Sequence, residues 1–170
     1  MFVCPLSHVE RTVAISGARH LISLANSSVT VETPAQVSPG RHLRLIMNDI
    51  VEPQPGLTSP QSHHIEALIG FVASWDRRAP LLIHCLAGIS RSTAGCFIAL
   101  CTLNPHVAEA DIALELRAAS ATAAPNRLLV GLADERLARG GRMLDALEVM
   151  GPSRLQNEGV PFSMPASWTG

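Results

Sequence analysis

The chain has 170 residues, 47% of them hydrophobic, a formal net charge of −1 at pH 7, and thirteen basic residues that are all arginine. A chain of this length makes about one domain, whose folding buries roughly 70% of the unfolded surface. No basic cluster exceeds Arg77-Arg78, which removes the electrostatic case for nucleic acid or an anionic membrane as partner, and no apolar run is long enough to span a bilayer.

Met1 to His8 lacks a basic stretch followed by an apolar core, so no signal peptide is read there. The four cysteines show no zinc spacing, and a reducing cytoplasm is the expected setting. Phe2 to Leu6 reads as a first strand. Ser7-His8-Val9-Glu10 has the form of a capping box opening a short helix that Gly17 ends. His20 to Ala25 is a second strand, Val29 to Val37 is expected to hold one more short strand, and His42 to Met47 is a further strand entering the sheet. A loop rich in Pro and Gly runs to Pro60. Ile65, Leu68, Ile69, Val72 and Trp75 then recur at helical spacing, so 62–76 is an amphipathic helix.

Pro80 precedes a short, wholly apolar run, Leu81-Leu82-Ile83, which suits a strand buried on both faces of a parallel sheet. From Arg91 on, small and apolar residues continue past Leu103 to Asn104-Pro105, a length that fits a buried helix. The loop between joins a strand's C-terminal end to a helix N-terminus, where free amides and the helix dipole both favour an anion. Gly88 eases the curl of the backbone, so that the amides of Leu86, Ala87, Gly88, Ile89, Ser90 and Arg91 can turn inward as a nest around phosphate oxygens. Arg91 adds a planar, two-pronged clamp. Cys85 would lie at the bottom, where positive potential favours the thiolate; outside such a setting it would be read as a buried packing thiol.

Past the loop the chain reads as helical at 107–118, 126–137 and 143–150, and the stretch 151–170, with Pro, Gly and Ser at short intervals, reads as an irregular tail. The alternation of strands and helices before the loop predicts an α/β fold: a central, mainly parallel sheet of four to five strands with helices on both sides and a helical C-terminal half.

The loop, His84-Cys85-x5-Arg91-Ser92 with Ala87-Gly88-x-Ser90-Arg91-Ser92 inside it, resembles the signature of the cysteine-dependent protein tyrosine phosphatases, nearest to a bacterial-type member of the dual-specificity branch. The similarity extends more weakly over 1–150. His20 to Ala25 stands where the family has a strand of the form x-hydrophobic-x-Asn-Leu, Leu45 to Asp49 where it has a strand ending in the acid, and Pro125-Asn126 where a Pro-Asn pair opens a later helix. The resemblance implies a single phosphatase domain over 1–150. It also implies hydrolysis of phosphate monoesters through a cysteinyl phosphate, with no metal or other cofactor.

Attack by Cys85 on phosphorus needs a carboxylic acid to protonate the leaving oxygen. Asp49 follows the C-terminal end of an apolar strand, the edge at which open α/β sheets place ligands, and the family's acid stands about thirty to forty residues before the cysteine, as Asp49 does. The other reading of Asp49 is a turn residue bonding its own backbone, and Glu52 is the reserve acid. His84 is expected to orient the loop and tune the thiol. Ser92 either donates to the sulfur or is an ordinary first-turn serine. Asn126 either braces the loop, as in the family, or caps a helix. His63-His64 read as surface residues rather than metal ligands, and Cys96 and Cys101 as packing thiols.

The variable loop positions carry no charge and the chain has neither Lys nor Tyr. By family resemblance this favours a singly charged ester over highly phosphorylated inositides, and a pocket shallower than that of tyrosine-selective relatives. The expected partner is a phosphorylated protein or a small phosphate ester. Two rivals stand beside this reading: a module that binds phosphorylated partners without turnover, and a rhodanese-like sulfurtransferase, which also holds a cysteine in an anion loop and would be separated by a thiosulfate assay.

Overall fold

The structure is a computed structural model that describes residues 1–168. In chain order it contains β1 (Phe2–Pro5), α1 (Val9–Ser16), β2 (His20–Ala25), β3 (His42–Ile46), α2 (Ser62–Ser74), β4 (Leu81–Cys85), α3 (Arg91–Leu103), α4 (Glu109–Ala119), α5 (Arg127–Arg136), α6 (Arg142–Met150) and β5 (Phe162–Ser163). The five strands form one sheet in the order β3-β2-β4-β1-β5. β1 to β4 run parallel, and β5 lies antiparallel on β1. Helices cover both faces, as parallel strands that are apolar on both sides require.

One face is small: Cys4, Leu21 and Leu82 of the sheet meet Val9 and Val13 of α1. The other carries the main core, where Val3, Ile22, Leu24 and Ile83 pack beneath Leu68, Phe97, Ile98, Leu116 and Leu129 of the helical layer. α3 lies at its centre, buried from Arg91 through Cys101. Gly95 lets that helix approach the strands: a Cβ there would lie 3.1 Å from Leu24 and 3.2 Å from Ile83 side-chain atoms. The close approach outweighs the roughly 1 kcal/mol that glycine costs a helix interior.

Three local expectations are corrected. The capping box at Ser7 does not form. The chain makes a 3-10 turn over Leu6–His8, α1 starts without a side-chain cap, and the Ser7 hydroxyl bonds Glu158 and His8 instead. No strand occurs within 29–37. Pro34 has no donor for a ladder, and the carbonyls of Val31 and Gln36 are taken by the side chains of Arg44 and Arg19. His64 is buried rather than on the surface, because its Nδ1 accepts from the Gln61 amide at the start of α2.

The segment after Met150 has little regular structure but is packed on the body. Met164 is buried, its amide and carbonyl both bond Met1, and the Trp168 amide donates to Asn104 Oδ1. Thr169 and Gly170, the end of the stretch read as an irregular tail, lie outside the described residues. No helix is long and apolar enough to cross a membrane among the described residues.

Candidate active site

β4 lies between β2 and β1, so its C-terminal end delivers Cys85 to the middle of the sheet edge, and α3 leaves from Arg91 directly above. The connecting loop is held from outside by its carbonyls. Leu86 O accepts from the Leu6 amide at 3.1 Å, Ala87 O from Gly159 at 2.8 Å and Ser90 O from Ala94 at 2.9 Å. Ile89 O accepts from Ala124 at 3.0 Å and from the Thr93 hydroxyl. In a trans peptide the C=O of one residue and the N–H of the next point opposite ways. Carbonyls fixed outward therefore aim the amides of Ala87, Gly88, Ser90 and Arg91 inward. The Gly88 amide is already bonded to Cys85 Sγ, at 3.2 Å.

Gly88 has φ 72°, and a Cβ on it would fall 2.6 Å from Pro5 N and 2.9 Å from Pro5 Cδ. Both the backbone region and the space exclude a side chain. Gly88→Ala is expected to destabilise the protein by about 2–4 kcal/mol and to weaken binding of inorganic phosphate. Urea unfolding and phosphate titration check this, and an alanine variant of unchanged stability would contradict it.

Cys85 is 2% exposed, with Ser92 Oγ 3.1 Å from its sulfur. Arg91 is buried; its Nη1 donates to Met47 O at 2.8 Å, fixing the plane of the guanidinium. Its Nε has no hydrogen-bond partner among the described residues and lies 3.8 Å from Asp49 Oδ2. A buried guanidinium N–H without a partner demands an explanation, and this one stands beside Asp49 and the inward amides of the loop.

Asp49, past the end of β3, does not turn back on its own backbone. Its Oδ1 accepts from Ser90 Oγ at 2.7 Å and from Asn126 Nδ2 at 2.8 Å. Both bonds fall on one oxygen, and the other, Oδ2, lies on the Arg91 side. Glu52 is exposed and has none of these bonds. The Asn126 side chain caps α5, its Oδ1 accepting from the Leu129 amide at 3.1 Å, and its Nδ2 donates to Asp49 Oδ1 and Ile50 O rather than to the loop after Cys85.

His84 is fully buried. Burial pushes its imidazole down to about 4, the Cys85 carbonyl opposing and Arg91 reinforcing the shift, so it is neutral near pH 7. Burial pushes the Cys96 and Cys101 thiols up to about 12 and that of Cys4 up to about 11, which keeps all three protonated.

The structure thus brings Cys85, Arg91, Ser92, Asp49 and Asn126 together around one loop. Three contributors were not visible in the sequence: the Ser90 hydroxyl on Asp49, the Met47 carbonyl on Arg91, and Ser23, whose Oγ meets His84 Nε2 at 2.6 Å. A hydroxyl and a carbonyl carry no spacing signal of their own. A hollow of about 430 Å³ between α1 and the β5 edge includes none of these residues.

No family model and no curated protein sequence matches the chain. Solved structures do. The human tyrosine phosphatase-like serine/threonine/tyrosine-interacting protein aligns at 19% identity and TM-score 0.62 over 81% of this chain and 90% of its own. Human DUSP28 aligns at 18% and 0.59 over 81% and 87%, and the PTP-2 phosphatase of Cydia pomonella at 16% and 0.60 over 95% and 92%. Strand order, the loop after β4 and these alignments agree: the chain has the fold of the cysteine-dependent protein tyrosine phosphatases, in the form shared with the dual-specificity phosphatases.

Proposed function

We propose that the protein is a phosphoric monoester hydrolase that acts on phosphotyrosine, and on phosphoserine, phosphothreonine or small phosphate esters, through a cysteinyl-phosphate intermediate. The observation that carries this reading is the pairing of Cys85 Sγ with a ring of inward amides and the unpartnered Arg91 Nε. A nucleophile lies at the base of a receptor for three equatorial oxygens. Cys85 displaces the ester in line while Asp49 Oδ2 protonates the leaving oxygen, and water then attacks the cysteinyl phosphate with Asp49 as base. The loop amides and Arg91 hold the charge that spreads over phosphorus in both steps, so that catalysis is mostly positioning and electrostatics. Ser92 Oγ, beside the sulfur, stabilises the departing thiolate in the second step. Asn126 and Ser90 hold the acid, and His84 holds the loop.

The substrate follows from the rim. Leu86, Ala87, Ile89 and Ser90 present no charge, and the chain has no Lys to pair a second phosphate and no Tyr to wall a deep slot. A singly phosphorylated protein side chain or a small ester fits such a pocket, and a reducing cytoplasm would keep Cys85 out of a disulfide.

Asp49→Asn tests the reading. Turnover of an alkyl or phenyl phosphate is expected to fall by about 10²–10³-fold, and that of a substituted phenol which leaves without a proton by much less, with the fall of rate on the alkaline side of the pH profile removed. An equal, small loss for both leaving groups would remove Asp49 from the role of acid.

A further inference from the structure

A buried polar line crosses three strands and ends at the catalytic loop. Ser23 on β2, 1% exposed, holds an imidazole on either side: His84 Nε2 at 2.6 Å and His42 Nε2, from β3, at 2.7 Å. His42 Nδ1 meets Thr33 Oγ1 at 2.9 Å, and Arg44 Nη2 donates to that same oxygen at 2.6 Å. At the far end His84 Nδ1 faces the Cys85 carbonyl at 3.5 Å. Ser23, His42 and His84 are all buried, and burying so many polar atoms is costly unless each donor finds an acceptor.

The carbonyl end fixes the direction of every bond in the line, because a carbonyl can only accept. His84 faces it with Nδ1–H, so its unprotonated Nε2 accepts from Ser23 Oγ. Ser23 Oγ then accepts from His42 Nε2–H, and His42 Nδ1 accepts from Thr33 Oγ1, which itself accepts from Arg44. Burial holds both rings neutral, each pushed down to about 4, so no second proton disturbs the sequence.

We propose that His42 and Thr33 are positioning residues which, through Ser23, lock His84 as its Nδ1–H tautomer and so set the main chain that carries Cys85. Nothing in the loop motif signals this, because His42 and Thr33 lie far from it in sequence and reach it only through the edge of the sheet. The catalytic consequence rests on the hydrolase reading; the tautomer does not.

The first measurement needs no variant and no turnover. Long-range ¹H–¹⁵N correlation spectra of the ¹⁵N-labelled protein at pH 7 are expected to show His84 protonated at Nδ1 and His42 at Nε2. The Nε2–H form for His84 would overturn the proposal. The second follows the pH dependence of Cys85 alkylation by iodoacetate, with kcat and KM beside it, in Ser23→Ala, His42→Phe and His42→Gln. The first two are expected to move the alkylation profile and lower kcat by about tenfold or more, with KM little changed. His42→Gln, which keeps an acceptor and a donor, is expected to retain the wild-type profile. An unmoved profile in a folded His42→Phe protein would also overturn the proposal. If the tautomer and the profile behave as expected while no ester is hydrolysed, the hydrolase reading fails and the relay stands.

Discussion

Cys85→Ser is expected to abolish ester hydrolysis, lowering turnover of p-nitrophenyl phosphate by at least about 10⁴-fold, while binding of inorganic phosphate and the fold persist. A hydroxyl at that position is uncharged near neutral pH and is a far weaker nucleophile than a thiolate. Removing the nucleophile of a positioned set costs nearly the whole rate enhancement of that set. The receptor does not depend on the sulfur: the outward carbonyls of Leu86, Ala87, Ile89 and Ser90 are held by Leu6, Gly159, Ala124 and Ala94, and Arg91 by Met47 O. Isothermal titration with phosphate and circular dichroism check the two halves. A serine protein that hydrolyses the ester at an undiminished rate would move the chemistry elsewhere; one that also loses phosphate would show that the sulfur is needed to build the loop.

Arg91→Lys is expected to lower kcat by about 10³-fold and to weaken phosphate binding as well. Lysine keeps the charge but not the plane. Arg91 uses Nη1 on Met47 O and leaves Nε without a hydrogen bond, 3.8 Å from Asp49 Oδ2, two directions that a single ammonium cannot serve together, so the substitution is not conservative at this site. An interaction that strengthens as charge develops on the equatorial oxygens falls mainly on kcat, and one made with bound phosphate falls on affinity; in the proposed mechanism Arg91 does both. Kinetics with phosphate as competitive inhibitor separate the two. A lysine protein with wild-type kcat would mean that charge alone suffices.

Much of this site was legible in the sequence, and the reason is local geometry. An apolar run, a glycine and a basic residue within one strand-loop-helix junction leave few ways to fold, and Cys85, Gly88 and Arg91 stand as that junction predicts. The strand at Leu81–Cys85 is buried on both faces, and its first three residues read as a wholly apolar run for that reason. The boundaries of α3 followed from Arg91 and from Asn104-Pro105. Partners brought together by topology were less legible. Asp49 could be placed at the correct edge of the sheet, but its anchors, Ser90 and Asn126, come from two other segments. The misreadings at Ser7 and His64 have opposite causes: the Ser7 hydroxyl was claimed by a distant residue, Glu158, whereas His64 makes a local bond to the Gln61 amide that its residue type does not signal.

The most direct test is acid quenching of Asp49→Asn protein during turnover of a substituted phenyl phosphate, followed by peptide mapping with mass spectrometry. Slowed hydrolysis of the intermediate is expected to leave a phosphoryl group on the peptide that contains Cys85, bound through sulfur and absent from Cys85→Ser protein. Continued turnover with the phosphoryl group on another residue, or with no covalent adduct in rapid-quench samples, would contradict it.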